Sequence, residues 1–318
     1  MAQGKVTSLT ISCDYLNESN TFSSGDFISG RVIIDVTGNV NVQLLTISAK
    51  GRADVWWSET NGENDDTYSA NEKYFKIKNV LIQSSSGNNE NRNCNQHKGR
   101  NVVLSGTQVY PFTFQIPHEE LPSSIKGRHG SVRYWLEAKL HRPWHLSKTV
   151  KMDLAVVKHI DVNSLELLAP QLLTADKTLC CWFCSSGPVS LSARIERKGY
   201  TPGDSVSIFA EIENHSSREV KPKAALQQIQ TFYATMKTQT VTTEIACAKG
   251  KPISAGERET WCGRLLDIPL DTTMSVLNCK IMKVEYSVLV IVDIPCATAL
   301  KVVFPVIIGT IPLQCPVN

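Results

Sequence analysis

Phe22-Ser-Ser-Gly25-Asp26-Phe-Ile28 and Tyr200-Thr-Pro-Gly203-Asp204-Ser-Val206 are two versions of one pattern: an aromatic residue, a Gly-Asp turn and the opening of an apolar strand. Glycine enters left-handed backbone without a Cβ clash and aspartate bonds its own nearby backbone, so the pair suits a tight turn. Two more blocks follow in the same order in each half. Phe114-Gln-Ile116-Pro117 matches Leu266-Asp-Ile268-Pro269, and Val132-Arg-Tyr134-Trp-Leu136 matches Val284-Glu-Tyr286-Ser-Val288. Ordered blocks at long spacing predict two copies of one domain. The copies of the first block lie further apart than those of the other two, so the first half carries extra residues between its first and second blocks. The polar stretches Ser58 to Ala70 and Gln83 to Asn101 read as the surface loops that hold them.

Around these blocks, apolar residues alternate with polar ones: Leu9/Ile11/Cys13, Val32/Ile34/Val36, Leu45/Ile47/Ala49, Val150/Met152/Leu154/Val156, Val189/Leu191/Ala193/Ile195 and Val206/Ile208/Ala210/Ile212. Period two is the mark of a half-buried strand, and no long stretch shows the helical period. The expectation is an all-β protein of two tandem β-sandwiches: residues 1–165, a linker at 166–187 where the alternation lapses, and residues 188–313. With 318 residues, 42% hydrophobic and 20% charged, the chain is long enough for two cores and too apolar for disorder. Its 33 basic against 30 acidic residues leave a net +3, which gives no global footprint for nucleic acid. The start, Met1-Ala2-Gln3-Gly4-Lys5, offers neither a secretory apolar core nor a glycine at position 2 for myristoylation. The uncharged tract from Val302 to Asn318 is broken by Pro305, Pro312 and Pro316 and is too short to span a bilayer. A cytoplasmic chain follows, with its 10 cysteines reduced and the sequons Asn17-Glu-Ser19 and Asn214-His-Ser216 idle.

Catalytic signatures are missing: there is no G-x-S-x-G elbow, Walker loop, G-x-G-x-x-G, H-E-x-x-H or EF-hand pattern. On a tandem all-β frame this points to a binding protein without a cofactor rather than an enzyme. Cys181-x-x-Cys184, with Cys180 beside it, has the spacing of a metal knuckle or redox pair but no second such pair to complete a site. The competing reading is that of small buried hydrophobes. His141-Arg-Pro143-Trp144-His145 places two histidines four apart, yet Pro143 opposes the helix that would align them, which leaves a surface loop. The main electrostatic feature runs from Leu121 to Lys158. There Lys126, Arg128, Arg133, Lys139, Arg142, Lys148, Lys151 and Lys158 face only Glu137 and Asp153. Alternation would put Arg133, Glu137 and Lys139 on the solvent side and Val132, Tyr134, Leu136 and Ala138 inside. Such a face suits phosphorylated or acidic tails or anionic lipid headgroups; the plain alternative is a solvated sheet face.

Several longer segments resemble one family. Gly127-Arg-His-Gly130-Ser-Val-Arg133-Tyr134-Trp135, Leu140-His-Arg142-Pro143-Trp144, Leu179-Cys-Cys-Trp-Phe-Cys184, Ile195-Glu-Arg-Lys-Gly199-Tyr200-Thr-Pro202-Gly203-Asp204 and Ile308-Gly-Thr-Ile-Pro312-Leu313 look like an α-arrestin, most of all the arrestin domain-containing protein 3 type. They occur in the family's order from about Thr7 to Leu313. The resemblance implies two immunoglobulin-like arrestin β-sandwiches in a non-enzymatic adapter, peripheral at plasma membrane and endosomes. Such adapters engage the cytoplasmic tails of membrane receptors or transporters. They couple them to HECT-type ubiquitin ligases through Pro-Pro-x-Tyr motifs, which WW domains read as polyproline II. Arg128, Arg133, Lys139 and Arg142 are the expected partner contacts, with peripheral membrane contact as a further expectation. The sequence holds no Pro-Pro pair, so ligases are expected as partners only where the full protein has such a tail. One branch of the family has a thioredoxin-binding cysteine; aligned on Trp261, Arg258 stands near that place, and the activity is not carried over. Two rival readings are a cysteine-based metal or redox regulator using Cys180, Cys181 and Cys184, and a structural scaffold of the retromer-type arrestin fold.

Overall fold

The computed structural model describes residues 4–14, 17, 19–62, 64–83, 102–181 and 184–314; of residues 61, 64, 180, 181 and 184–186 it gives the backbone only. Strands dominate, and the described residues hold one helix, the single turn α1 at Leu165–Leu168. Before it come β1 (Lys5–Cys13), β2 (Thr21–Phe22), β3 (Phe27–Thr37), β4 (Val40–Asn41), β5 (Leu44–Asn61), β6 (Asn64–Gln83), β7 (Val102–Val103), β8 (Gly106–Gln115), β9 (Ile125–Lys126), β10 (Gly130–His141) and β11 (Lys148–Val156). After it come β12 (Gln171–Cys181), β13 (Cys184–Ile195), β14 (Gly199–Tyr200), β15 (Ser205–Asn214), β16 (Lys221–Ala234), β17 (Lys237–Lys249), β18 (Arg258–Asp267), β19 (Met282–Asp293) and β20 (Leu300–Ile308). By contact the chain divides into two units. One holds the residues up to Asp54, Asn71–Lys126 and Ser131–Lys158; the other holds Val55–Ala70, Gly127–Gly130 and His159 onward.

In the first unit the sheet β1-β3-β8 forms one layer and β2-β11-β10-β5-β6 the other, with β9 on β10 and a small β4-β7 pair. Alternation sets the core: Ile28, Val32, Ile34 and Val36 of β3 are buried, as are Val132, Tyr134, Leu136 and Ala138 of β10. Each such aliphatic or aromatic side chain contributes about 1.5–3 kcal/mol on leaving water. The second unit repeats the plan, with β12-β13-β15-β18 opposite β14-β20-β19-β16-β17. Leu191, Ile195, Ile208 and Ile212 face Val284, Tyr286, Val288 and Phe304, all essentially without exposure. The tandem-sandwich reading is therefore correct.

The three repeated blocks meet in the same way in both units. Gly25 takes φ +86° and Gly203 φ +91°, where a Cβ would strike the His118 ring and Leu270 respectively. The Asp26 carboxylate accepts from the Ser23 backbone N–H at 2.7 Å, and that of Asp204 from Thr201 at 2.9 Å. Gly25 N–H donates to the Ile116 carbonyl at 3.1 Å and Ile116 N–H to that of Asp26 at 2.8 Å; Gly203, Ile268 and Asp204 do likewise at 3.0 and 2.8 Å. The tyrosine of the third block closes the arrangement. Tyr134 Oη donates to the Pro122 carbonyl at 2.8 Å, and Tyr286 Oη to that of Thr273 at 2.7 Å.

Two stretches differ from their sequence reading. Ser58 to Ala70, read as a loop, belongs largely to β5 and β6, whose hairpin tip packs within the second unit. Trp57 stacks on Tyr68 at 5.6 Å and lies 6.5 Å from His129, which meets Phe232 edge-on at 5.4 Å. Lys237 Nζ pairs with Glu59 at 2.8 Å and sits over Tyr68. Residues 166–187, read as a linker, carry α1, β12 and the start of β13, which pair from Gln171↔Ile195 to Cys181↔Cys184. Gln171, Asp176 and Lys177 break the apolar alternation there because β12 is an edge strand. The other polar stretch, residues 84–101, lies outside the described residues.

Candidate functional site

Strand β10 presents Arg133, Trp135, Glu137 and Lys139 on the face opposite its core residues, as alternation requires. Its antiparallel neighbour β11 sets Asp153 opposite Trp135 and Lys151 opposite Glu137. Lys50 reaches the same face from β5. Glu137, expected on the solvent side with Arg133 and Lys139, is only 6% exposed. Lys50 Nζ donates to its carboxylate at 2.7 Å and Lys139 Nζ lies at 3.1 Å, with Lys151 Nζ at 3.8 Å. Burial alone would push the Glu137 carboxyl up, but the hydrogen bonds and charges of Lys50 and Lys139 outweigh it and hold the group below its usual range. Beside this centre the Trp135 ring has Lys50 at 5.8 Å and Lys151 at 5.9 Å. Three lysines around one carboxylate leave the patch basic, at reduced strength.

The four expected contacts fare differently. Arg133 is exposed, and its Nη2 donates to both carboxylate oxygens of Asp153, at 3.0 and 3.3 Å. Lys139 belongs to the Glu137 centre. Arg142 follows the end of β10 and lines a cleft of about 390 Å³ with Asn39, Asn41, Trp144 and His145; its Nε is buried without a hydrogen-bond partner. Among the described residues no carboxylate pairs with Arg142. Arg128 lies exposed in the turn between β9 and β10, grouped with the second unit, where its backbone N–H donates to Gln230 Oε1 at 3.0 Å. Sequence reasoning missed Lys50 and Trp135. Only the outward parity of Lys50 after Leu45, Ile47 and Ala49 could have flagged it.

Cys181 and Cys184 face each other as backbone partners at the end of the β12–β13 hairpin; their side chains lie outside the described residues, as do Trp182 and Phe183. Among the described residues no three His, Cys, Asp or Glu side chains converge as metal ligands. Among the described residues Cys13, Cys247, Cys262 and Cys296 are free thiols. Burial, with the Asp14 charge adding to it, pushes the Cys13 thiol up to about 11. Among the described residues no helix is long and apolar enough to cross a membrane.

The chain matches the family described as Arrestin (or S-antigen), N-terminal domain, over residues 9–163, and Arrestin (or S-antigen), C-terminal domain, over residues 185–313. It is 39% identical over 297 residues to Arrestin domain-containing protein 4 of Mus musculus, which spans 92% of this chain and 69% of that protein. The Homo sapiens protein of the same name is 38% identical over 317 residues, 98% of this chain and 73% of that one. Thioredoxin-interacting protein of Homo sapiens is 33% identical over 289 residues, 91% and 71% of the two chains.

Proposed function

This chain belongs to the arrestin family, on its α-arrestin branch, and from that premise we propose that it carries membrane receptors or transporters into endocytosis and endosomal sorting. Arrestin-family proteins are non-enzymatic adapters that generally bind membrane cargo. The observation that carries the reading is the match of both sandwiches to relatives along nearly the whole chain. Coupling to HECT-type ubiquitin ligases would run through a Pro-Pro-x-Tyr tail where the full protein has one, and the working location would be cytoplasmic, peripheral at plasma membrane and endosomes. The name of thioredoxin-interacting protein states a thioredoxin partner for that relative. Arg258, near the matching place here, opens β18 as an exposed cation, and no such partner is proposed.

Cargo tails with acidic or phosphorylated residues would meet Arg133, Lys139 and Arg142 on the first unit, with Arg128 a separate proposed contact on the second. Arginine forks onto planar carboxylates and phosphates, and an incoming anion would compete with Asp153, which Arg133 meets through Nη2. The test is fluorescence polarisation with a phosphorylated receptor-tail peptide at low salt. Arg133→Glu with Arg142→Glu is expected to weaken binding at least about tenfold, since a charge-assisted hydrogen bond contributes about 1.5–3 kcal/mol. Unchanged binding removes the site. Proximity labelling in cells that returns no membrane cargo removes the adapter reading itself.

A further inference from the structure

The turn between β10 and β11 exposes two large apolar side chains two residues apart. Trp144 is 102% exposed and Leu146 94%. Single apolar residues on a surface are ordinary, but this turn has further features. Only four described non-glycine residues take a left-handed φ, and Trp144, at 62°, is the aromatic among them. For a bulky L-residue that conformation costs on the order of 1–2 kcal/mol, and here it is spent on holding an indole out in water. The backbone is fixed from within: the His145 ring meets the Pro143 carbonyl at 2.8 Å, and Ser147 Oγ meets His141 Nδ1 at 2.7 Å. The apolar tip is thus held in place by its own base.

Charge supplies the second half of the argument. From Ala138 to Met152 the chain has no acidic residue and carries Lys139, Arg142, Lys148 and Lys151. Lys148 is anchored on the carbonyls of Val6 and Thr7 at 3.2 and 3.4 Å, and so holds its cation at the root of the turn. Arg142, without a carboxylate partner among the described residues, lines the same cleft as Trp144 and His145. Lys139 and Lys151 are drawn to Glu137, so the turn's own cations are Arg142 and Lys148. A Trp-Leu tip with these two cations at its base is the chemistry of the bilayer interface: indole favours the headgroup level, and basic side chains meet anionic phosphates. An acidic peptide would account for the cations but not for the fully solvated indole and leucine.

The geometry points to the 142–147 turn as an interfacial anchor that inserts Trp144 and Leu146 into the headgroup region of an anionic membrane, with Arg142 taking a lipid phosphate. This deepens the peripheral-membrane part of the reading above. Its test uses no cargo, so that the two can fail separately.

The experiment is co-sedimentation of the whole chain with phosphatidylcholine vesicles, with and without phosphatidylserine. The chain is expected to partition onto the anionic vesicles. Trp144→Ser with Leu146→Ser should lower the partition coefficient at least about tenfold, because two apolar side chains no longer leave water. Arg142→Gln should lower it about fivefold on anionic vesicles only, as one cation near a charged surface is lost. Trp56→Ser, an exposed tryptophan elsewhere, should change nothing, and all variants should unfold at the temperature of the unmodified chain. Equal partition of the Trp144/Leu146 variant, or an equal loss in Trp56→Ser, overturns the anchor. So does a chain that ignores anionic vesicles while binding an acidic peptide through Trp144.

Discussion

Glu137 shows how one residue can reverse the meaning of a charge run. A solvated glutamate among lysines would be a passive member of a basic face; a buried one is the centre that holds Lys50, Lys139 and Lys151 together. Glu137→Gln leaves those cations facing a neutral amide, and loss of charge-assisted hydrogen bonds is expected to cost about 1–3 kcal/mol in denaturant unfolding at neutral pH. The folded carboxyl is held below its ordinary value. Its contribution is therefore present above the unfolded pKa of about 4.3 and is lost as pH falls through the lower folded value. The gap between wild type and variant should close in acid; a gap independent of pH would mean that packing, not charge, makes the difference. The parity of β10 was legible in Val132, Tyr134, Leu136 and Ala138. The burial of Glu137 was not, because Lys50 comes from a strand far away in sequence and no local pattern brings it there.

Among the elements, the repeated blocks show what sequence can and cannot carry. Phe22 to Ile28 and Tyr200 to Val206 disclosed themselves because a left-handed glycine followed by a backbone-bonding aspartate restricts residue choice strongly. The Tyr134 and Tyr286 hydroxyls tie each third block to the loop after the second, a long-range bond that spacing implied only as order. Tyr134→Phe leaves the buried Pro122 carbonyl short of its donor and should cost about 1–3 kcal/mol, whereas Tyr286→Phe frees the carbonyl of the exposed Thr273 and should cost about 0.5–1.5 kcal/mol. Tyr286 also receives a bond from Gln228 Nε2 at 2.6 Å, which Tyr286→Phe breaks as well. A Tyr286→Phe cost that is the same in a Gln228→Ala background would show that the Gln228 bond adds nothing. Asn214 makes the same point in a sequon. It is fully buried and donates to the carbonyls of Arg218, Ile253 and Ser254, so the folded chain encloses the amide that a sequon would have to present.

At the scale of the molecule, the second unit is not a contiguous piece of chain: it takes Val55–Ala70 and Gly127–Gly130 from the half that otherwise builds the first. Repeat arithmetic predicted two domains and located the extra residues, and most of those described are on a surface, but as the ends of β5 and β6 rather than as a loop. Ser58, Glu59 and Thr60 carry no apolar alternation, and only Trp57 and Tyr68 hint at burial. The polar clasp between Glu59 and Lys237 explains how so hydrophilic a tip can pack. Glu59 is held below its usual value chiefly by its hydrogen bond with Lys237, and Lys237 is held above its own by the same bond. If the clasp holds the tip, Glu59→Lys and Lys237→Glu should each lower the melting temperature by setting like charges together, and the exchanged pair should recover most of the loss. Hydrogen exchange at Trp57 and Tyr68 should rise in the single variants and return in the double. Single variants that melt like the unmodified chain, or losses that simply add in the double, would mean that the aromatic stack of Trp57, Tyr68 and His129 holds the tip without help from charge.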